Sequence, residues 1–298
     1  MSRMFKKIFF LSVASGLLLA SCSNNPSKTD GGNASIDTTK TAAELKLDNQ
    51  GKQLMYAMPS PVEAAALLKS SGAKFDIANL NATKNVSHYT TGSSRALNLG
   101  VYATDLVYAN IFGQTQESAE YFRCANTLGS ALGIKDAFGE AVYKRMNSNM
   151  DNKDSLMAII AEASMDADSY FKENERAEGS ALVATGGWLE GLFISCRIAE
   201  KSKDPILMNR MAEQKHSLGT LIALLSGITL DKESLPVLEG LKALKVEFDG
   251  LELKSDESKP AKAEGTNTIG PKKHLVMTPE KFKTISEKAY ELRNSIIK

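Results

Sequence analysis

The stretch SSRALNLGVYATDLVYANIFG, residues 93–113, decides the fold class. Leu97, Val101, Leu106 and Tyr108 recur near helical spacing, and Gly113 stops the run. The same reading extends outward. TQESAEYFRCANTLGSALG follows as a second helix, with Thr115 capping and Gly133 terminating. Further helices are predicted at roughly 135–149, 153–173, 178–201 and 205–226, the last opened by Asp204 before Pro205. Another runs over about 231–251, from Asp231 with Ser234 three positions on. A final helix opens at Thr278 before Pro279 and runs to the end. Upstream, SPVEAAALLKSSG sets Ser60, Pro61 and Glu63 as a capping-box start, with Gly72 as the stop. No stretch shows sustained alternation of Val, Ile or Thr, so the chain is expected to be all-α with essentially no sheet.

Short connections imply antiparallel helical hairpins, forming a bundle or a short stack like tetratricopeptide arrays. The landmarks of that repeat fail after Leu99-Gly100, where they fall on Ala103, Phe112, Gln116 and Ala119. A degenerate stack stays open. The chain divides into 1–21, 22–41, a helical domain at 42–252, a loop at 253–277 and a C-terminal docking helix at 278–298. The loop has two prolines, many charges and little apolar content within residues 254–276; it reads as exposed, either disordered or binding a partner.

The N-terminus fixes location. Ile8 to Ala20 is an apolar run of 13 residues, short of the about 20 a spanning helix needs. Arg3, Lys6 and Lys7 precede it, as in a secretory signal. Leu19, Ala20, Ser21 and Cys22 resemble the lipobox of bacterial lipoproteins. The resemblance implies cleavage before Cys22 and acylation of that residue, with two or more chains giving stable anchoring. The alternatives are a plain secretory signal with an incidental Cys, or a retained anchor helix. Ser23 stands where Asp would resemble the inner-membrane retention signal of enterobacteria. SNNPSKTD lacks the acidic cluster that resembles a surface-export signal in Bacteroidota. Both point to the outer membrane, facing the periplasm. Residues 23–41 are rich in Ser, Thr, Asn and Gly and read as a flexible tether. Asp37, Thr38 and Thr39 within it resemble the short O-glycosylation motif of Bacteroidota, or are ordinary linker polarity.

Without residues 1–21 the chain carries 33 basic against 35 acidic residues, so no excess of positive charge points to nucleic acid. Cys124 and Cys196 sit in apolar helical patterns, either as small buried hydrophobes or as a disulfide. Neither has a second Cys or His nearby, so no metal site is expected.

Three segments are candidates for chemistry. SALVATGGWLEGLFIS places Gly186, Gly187 and Gly191 around the single tryptophan, Trp188. Mid-helix glycine costs about 1 kcal/mol, so either close helix packing or a ligand slot against Trp188 must compensate. Tyr102, Asp105 and Tyr108 lie three apart on one helix face. There Asp105 could bond both tyrosines and line a pocket, or belong to an internal network. NSNMDNKDS opens like a calcium loop through Asn147, Asn149 and Asp151, but Asn152 and Ala158 replace the required Gly and Glu. His88, His216 and His274 belong to no hydrolase or zinc motif, and no cofactor is implied.

MPSPVEAAALLKSSGAKFD and RALNLGVYATDLVYANIFGQTQESAEYF resemble helical lipoproteins of Bacteroidota that have no assigned activity. That resemblance implies class and location and brings no catalytic residue. The expectation is a lipid-anchored envelope protein that binds or scaffolds an envelope protein partner and is not an enzyme. The alternatives are a binder of a small apolar or peptide ligand between helices, and an envelope hydrolase.

Overall fold

A computed structural model describes residues 71–134, 139–149, 152–255 and 273–298. Cys22, the tether and the Ser60 helix start lie outside the described residues, as does part of the calcium-like loop. Two 3-10 turns, Ile77–Asn79 and Thr83–His88, lead into nine α-helices among the described residues. These are α1 (Gly92–Ile111), α2 (Thr115–Ala131), α3 (Glu140–Asn147), α4 (Lys153–Glu173), α5 (Ala177–Ser202), α6 (Pro205–Ala212), α7 (Gln214–Ser226), α8 (Leu235–Asp249) and α9 (Pro279–Ile296). The class is all-α.

Local chemistry sets most boundaries. Thr91 and Ser94 form a reciprocal capping box at α1. Asp204 accepts from Ile206 N at 2.8 Å ahead of Pro205, and Thr278 accepts from Lys281 N at 3.3 Å ahead of Pro279. Gly113 and Gly133 end α1 and α2 with φ of +69° and +86°, which glycine adopts without a Cβ penalty. Thr115 does not cap α2: Gln114 occupies that position and makes no side-chain cap bond. The predicted 205–226 helix is interrupted by a turn at Glu213, although φ of −64° and ψ of −20° stay helical there, and is divided into α6 and α7. The predicted 231–251 helix starts later, at Leu235. Pro236 clashes with a helical turn upstream of it, and Asp231 instead closes a turn by accepting from Ser234 N at 2.8 Å.

One small sheet corrects the expectation for 253–277. Strands β1 (Glu252–Ser255) and β2 (Lys273–Val276) pair antiparallel, with Leu253 opposite Leu275. All four residues of β1 are exposed, so backbone pairing occurs without any apolar alternation to read.

The core is organised by α1 and α5. Each buries residues around most of its circumference, the mark of a central helix. Their contact is among the most extensive between elements, although Gly186 lies 89 residues after Leu97. This is a bundle around a central pair. In a tetratricopeptide-like stack, sequence neighbours would make the main contacts. Helices α2, α4, α6, α7 and α9 pack on one or both members of the pair, and α8 joins α7 to α9. The predicted C-terminal helix is α9, seated through Phe282, Ile285, Leu292 and Ile296. Burial of each such side chain stabilises by about 1.5–3 kcal/mol.

Glycine sets how closely the central pair approaches. A Cβ on Gly186 would lie 1.9 Å from Leu97 O, and one on Gly100 would lie 2.0 Å from Val183 O. Gly191 is different, since its Cβ would meet only Thr104 Cγ2 at 3.9 Å. Gly186→Ala is therefore expected to destabilise by at least about 1–3 kcal/mol through overpacking. Gly191→Ala is expected to be neutral or to stabilise by up to about 1 kcal/mol. Urea unfolding of both variants checks this. Equal effects would mean that helix propensity, rather than close approach, governs these positions.

Candidate functional site

Where α1, α5 and α9 meet, the apolar core gives way to a polar cluster. Helix α1 supplies Asn98 and Asp105, α5 supplies Glu190, and α9 supplies Arg293. Asp105 and Glu190 are 0% exposed and Arg293 is 6% exposed. Arg293 forks onto Glu190, with Nε to Oε2 and the terminal nitrogen to Oε1 both at 2.8 Å. Its guanidinium also stacks over the Phe193 ring, 4.4 Å from the centroid. This bidentate pair is the only ion pair among the described residues with both side chains buried.

A second tier ties the cluster to the chain ends of its helices. Asn98 Nδ2 donates to Ile296 O at 2.8 Å, and Tyr89 O–H donates to Ile297 O at 3.1 Å. Carbonyls at a helix C-terminus have no intrahelical donor, so these bonds cap α9 inside the protein. Asn81 Nδ2 donates to Tyr89 Oη at 2.9 Å, and Asn81 N donates to Asp105 Oδ2 at 3.1 Å.

The balance of charge is uneven. Burial holds the Asp105 carboxyl well above its ordinary value, the nearby Glu190 charge pushes the same way, and Arg293 opposes them. Asp105 Oδ1 and Trp188 Nε1 are the buried side-chain polar atoms among the described residues that lack a partner. A proton on Asp105 would turn Oδ1 into a donor toward Glu190 and remove the first of these defects.

The four pocket candidates do not form one site. Tyr102 O–H donates to Ala82 O at 3.0 Å, and Tyr108 O–H donates to Lys74 O at 3.5 Å. Tyr108 packs between Phe75 and Phe112, with centroids at 5.5 and 4.9 Å. Neither tyrosine bonds Asp105, because the rings leave α1 toward the segments around Lys74 and Ala82. Trp188 is buried, and the space beside Gly186 and Gly187 is filled by the backbone of α1 at Leu97 and Gly100. A cavity beside Leu106, Phe122, Met146 and Ile159 measures about 10 Å³ and touches none of the four. That is room for one water at most.

Glu190 and Arg293 escaped the sequence reading. Glu190 had a signal: it is the only charged residue from Ser180 to Cys196. Arg293 had a weaker one, lying on the apolar stripe of α9 beside Leu292 and Ile296. Cys124 and Cys196 are free and buried, and burial pushes their thiols up to about 11 and about 12. No group of His, Cys, Asp or Glu among the described residues could hold a metal.

A second feature lies at the surface. Helices α7 and α8 and strand β2 border an open groove of about 500 Å³. Gly219, Ala223 and Leu275 line it, with Glu213, Lys215, His216, Lys245 and Asp249 among its charged and polar residues. Asp249 pairs with Lys215 at 3.5 Å and with Lys245. Close by in sequence, Val246 and Leu253 are 66% and 60% exposed. Comparison with known proteins gives no match to a protein-family model, to a curated protein or to a solved structure.

Removing Arg293 tests the buried pair. Arg293→Met leaves Glu190 charged and unpaired in the interior, which is expected to cost about 3–5 kcal/mol. Glu190→Gln in the same chain is expected to recover much of the loss, as measured by denaturant unfolding at neutral pH. Additive losses in the double variant would show that the two side chains act independently.

Proposed function

We propose that the protein is a lipid-anchored component of the bacterial cell envelope, held through Cys22, that binds or scaffolds an envelope protein partner. The observation that carries the binding role is the contrast between a filled centre and an open edge. The Gly186–Gly187 space is closed by α1, whereas the groove of about 500 Å³ between α7, α8 and β2 stands open. Paired charges around an apolar floor suit a protein surface better than a small apolar ligand.

The groove gives little support to hydrolysis. His216 stands on it, but the Asp249 carboxylate is committed to Lys215 and Lys245. The Thr220 hydroxyl donates to the backbone carbonyl of His216, away from the imidazole. A nucleophile needs a base within hydrogen-bond reach. The anchor rests on the lipobox-like Leu19-Ala20-Ser21-Cys22, and the outer membrane facing the periplasm is the location proposed on the residues after it.

Two measurements test this. Mass analysis of the mature N-terminus from the native host is expected to show acyl chains on Cys22; an unmodified Cys22 would sink the anchor. Cross-linked pull-down from native membranes is expected to recover a stoichiometric protein partner. That partner should be lost with Cys22→Ala and reduced with Lys215→Glu plus Lys245→Glu. Recovery unchanged by the double substitution would remove the groove from the binding surface.

A further inference from the structure

Polar contacts as well as apolar ones seat the C-terminal helix α9. Asn98 and Tyr89 hold the Ile296 and Ile297 carbonyls, and Arg293 forks onto both oxygens of Glu190. Beside that fork lies Asp105, 0% exposed, with Oδ2 taken by Asn81 N at 3.1 Å and Oδ1 without a partner. One guanidinium thus serves two buried carboxyl groups, and one of them already holds it bidentately.

We propose that Asp105 carries a proton directed toward Glu190, and that loss of this proton releases α9 from the central pair. The Asp105 O–H bond breaks, its electron pair stays on the carboxylate, and the proton goes to water. The buried cluster then carries two negative charges against one positive. Lifting α9 lets water reach both carboxylates, so the open form gains what the closed form has lost.

The groups facing Asp105 admit no other source of positive charge. Glu190 approaches from α5 and Arg293 from α9; Tyr102 lies on α1 itself, Tyr89 just before it, and Tyr121 and Cys124 on α2. Burial raises the three phenols and the thiol, keeping them neutral. Arg293 is the only cation among these groups. The sign follows from the direction of the Asp105 shift. Its folded value lies above its ordinary value of 3.8, so its stabilisation is complete below 3.8 and is lost as pH rises through the folded value. Within that window the opening of α9 should grow by up to about tenfold per pH unit, one proton being released. This device is independent of the anchor and the groove.

Hydrogen exchange of the full chain, followed by mass spectrometry and corrected for intrinsic rates, tests it between about pH 5 and about pH 9. Peptides of α9 are expected to show an opening constant that rises at least about tenfold across this range, while α2 and α4 stay flat. Asp105→Asn keeps the shape and cannot ionise, so its α9 should stay protected throughout. Glu190→Gln is a second route should that variant fail to fold: Asp105 then becomes the counter-ion of Arg293, ionises without penalty, and the rise disappears. A flat wild-type profile overturns the proposal. So does a rise that persists in either variant, or one shared equally by α2 and α4.

Discussion

The rest of the structure depends on how closely α1 and α5 approach. At Gly100 and Gly186 the backbones come within the volume a methyl group would need. That contact brings together segments far apart in sequence and makes both helices central, so the other helices have faces to cover. It also sets the height of the polar cluster. Asp105 stands five residues beyond Gly100 and Glu190 four beyond Gly186, a little over one turn in each case. A wider spacing would separate the two carboxyl groups and admit water between them.

Within that frame, α9 is held by two kinds of interaction with different consequences. Its apolar stripe of Phe282, Ile285, Ala289, Leu292 and Ile296 supplies non-directional stabilisation and would tolerate small shifts along its axis. The fork between Arg293 and Glu190 tolerates none, because a guanidinium meets both carboxylate oxygens in one geometry. The bonds from Asn98 and Tyr89 to the last carbonyls set the same register from the other side. A buried ion pair contributes little net stability compared with apolar packing, so its effect here is to specify one placement of the helix. Asp105 adds a buried carboxyl group whose charge, if formed, this placement would leave uncompensated.

The surface groove obeys different physics. Its ion pairs are half-exposed and contribute little to stability. Val246 and Leu253, near its residues in sequence, remain in contact with water. The groove and the central cluster are built from different helices.

The helical class, most caps and the docking of the C-terminal helix were legible from the sequence. Thr278-Pro279, Asp204-Pro205, Gly113 and Gly133 act through local backbone geometry, which a short window contains. The partners of Asp105 were not legible. Spacing on one helix suggested Tyr102 and Tyr108, but a side chain's direction depends on what packs against it. The real neighbours, Glu190 and Arg293, lie 85 and 188 residues away. The sheet went unseen because backbone hydrogen bonds between β1 and β2 leave no trace in exposed side chains. Sequence alone thus determined the helical class and those ends that a cap, a proline or a glycine marks, since such choices are made within a turn of chain. Only the tertiary structure decided which charges share the interior, because that follows from the approach of helices that no local pattern relates.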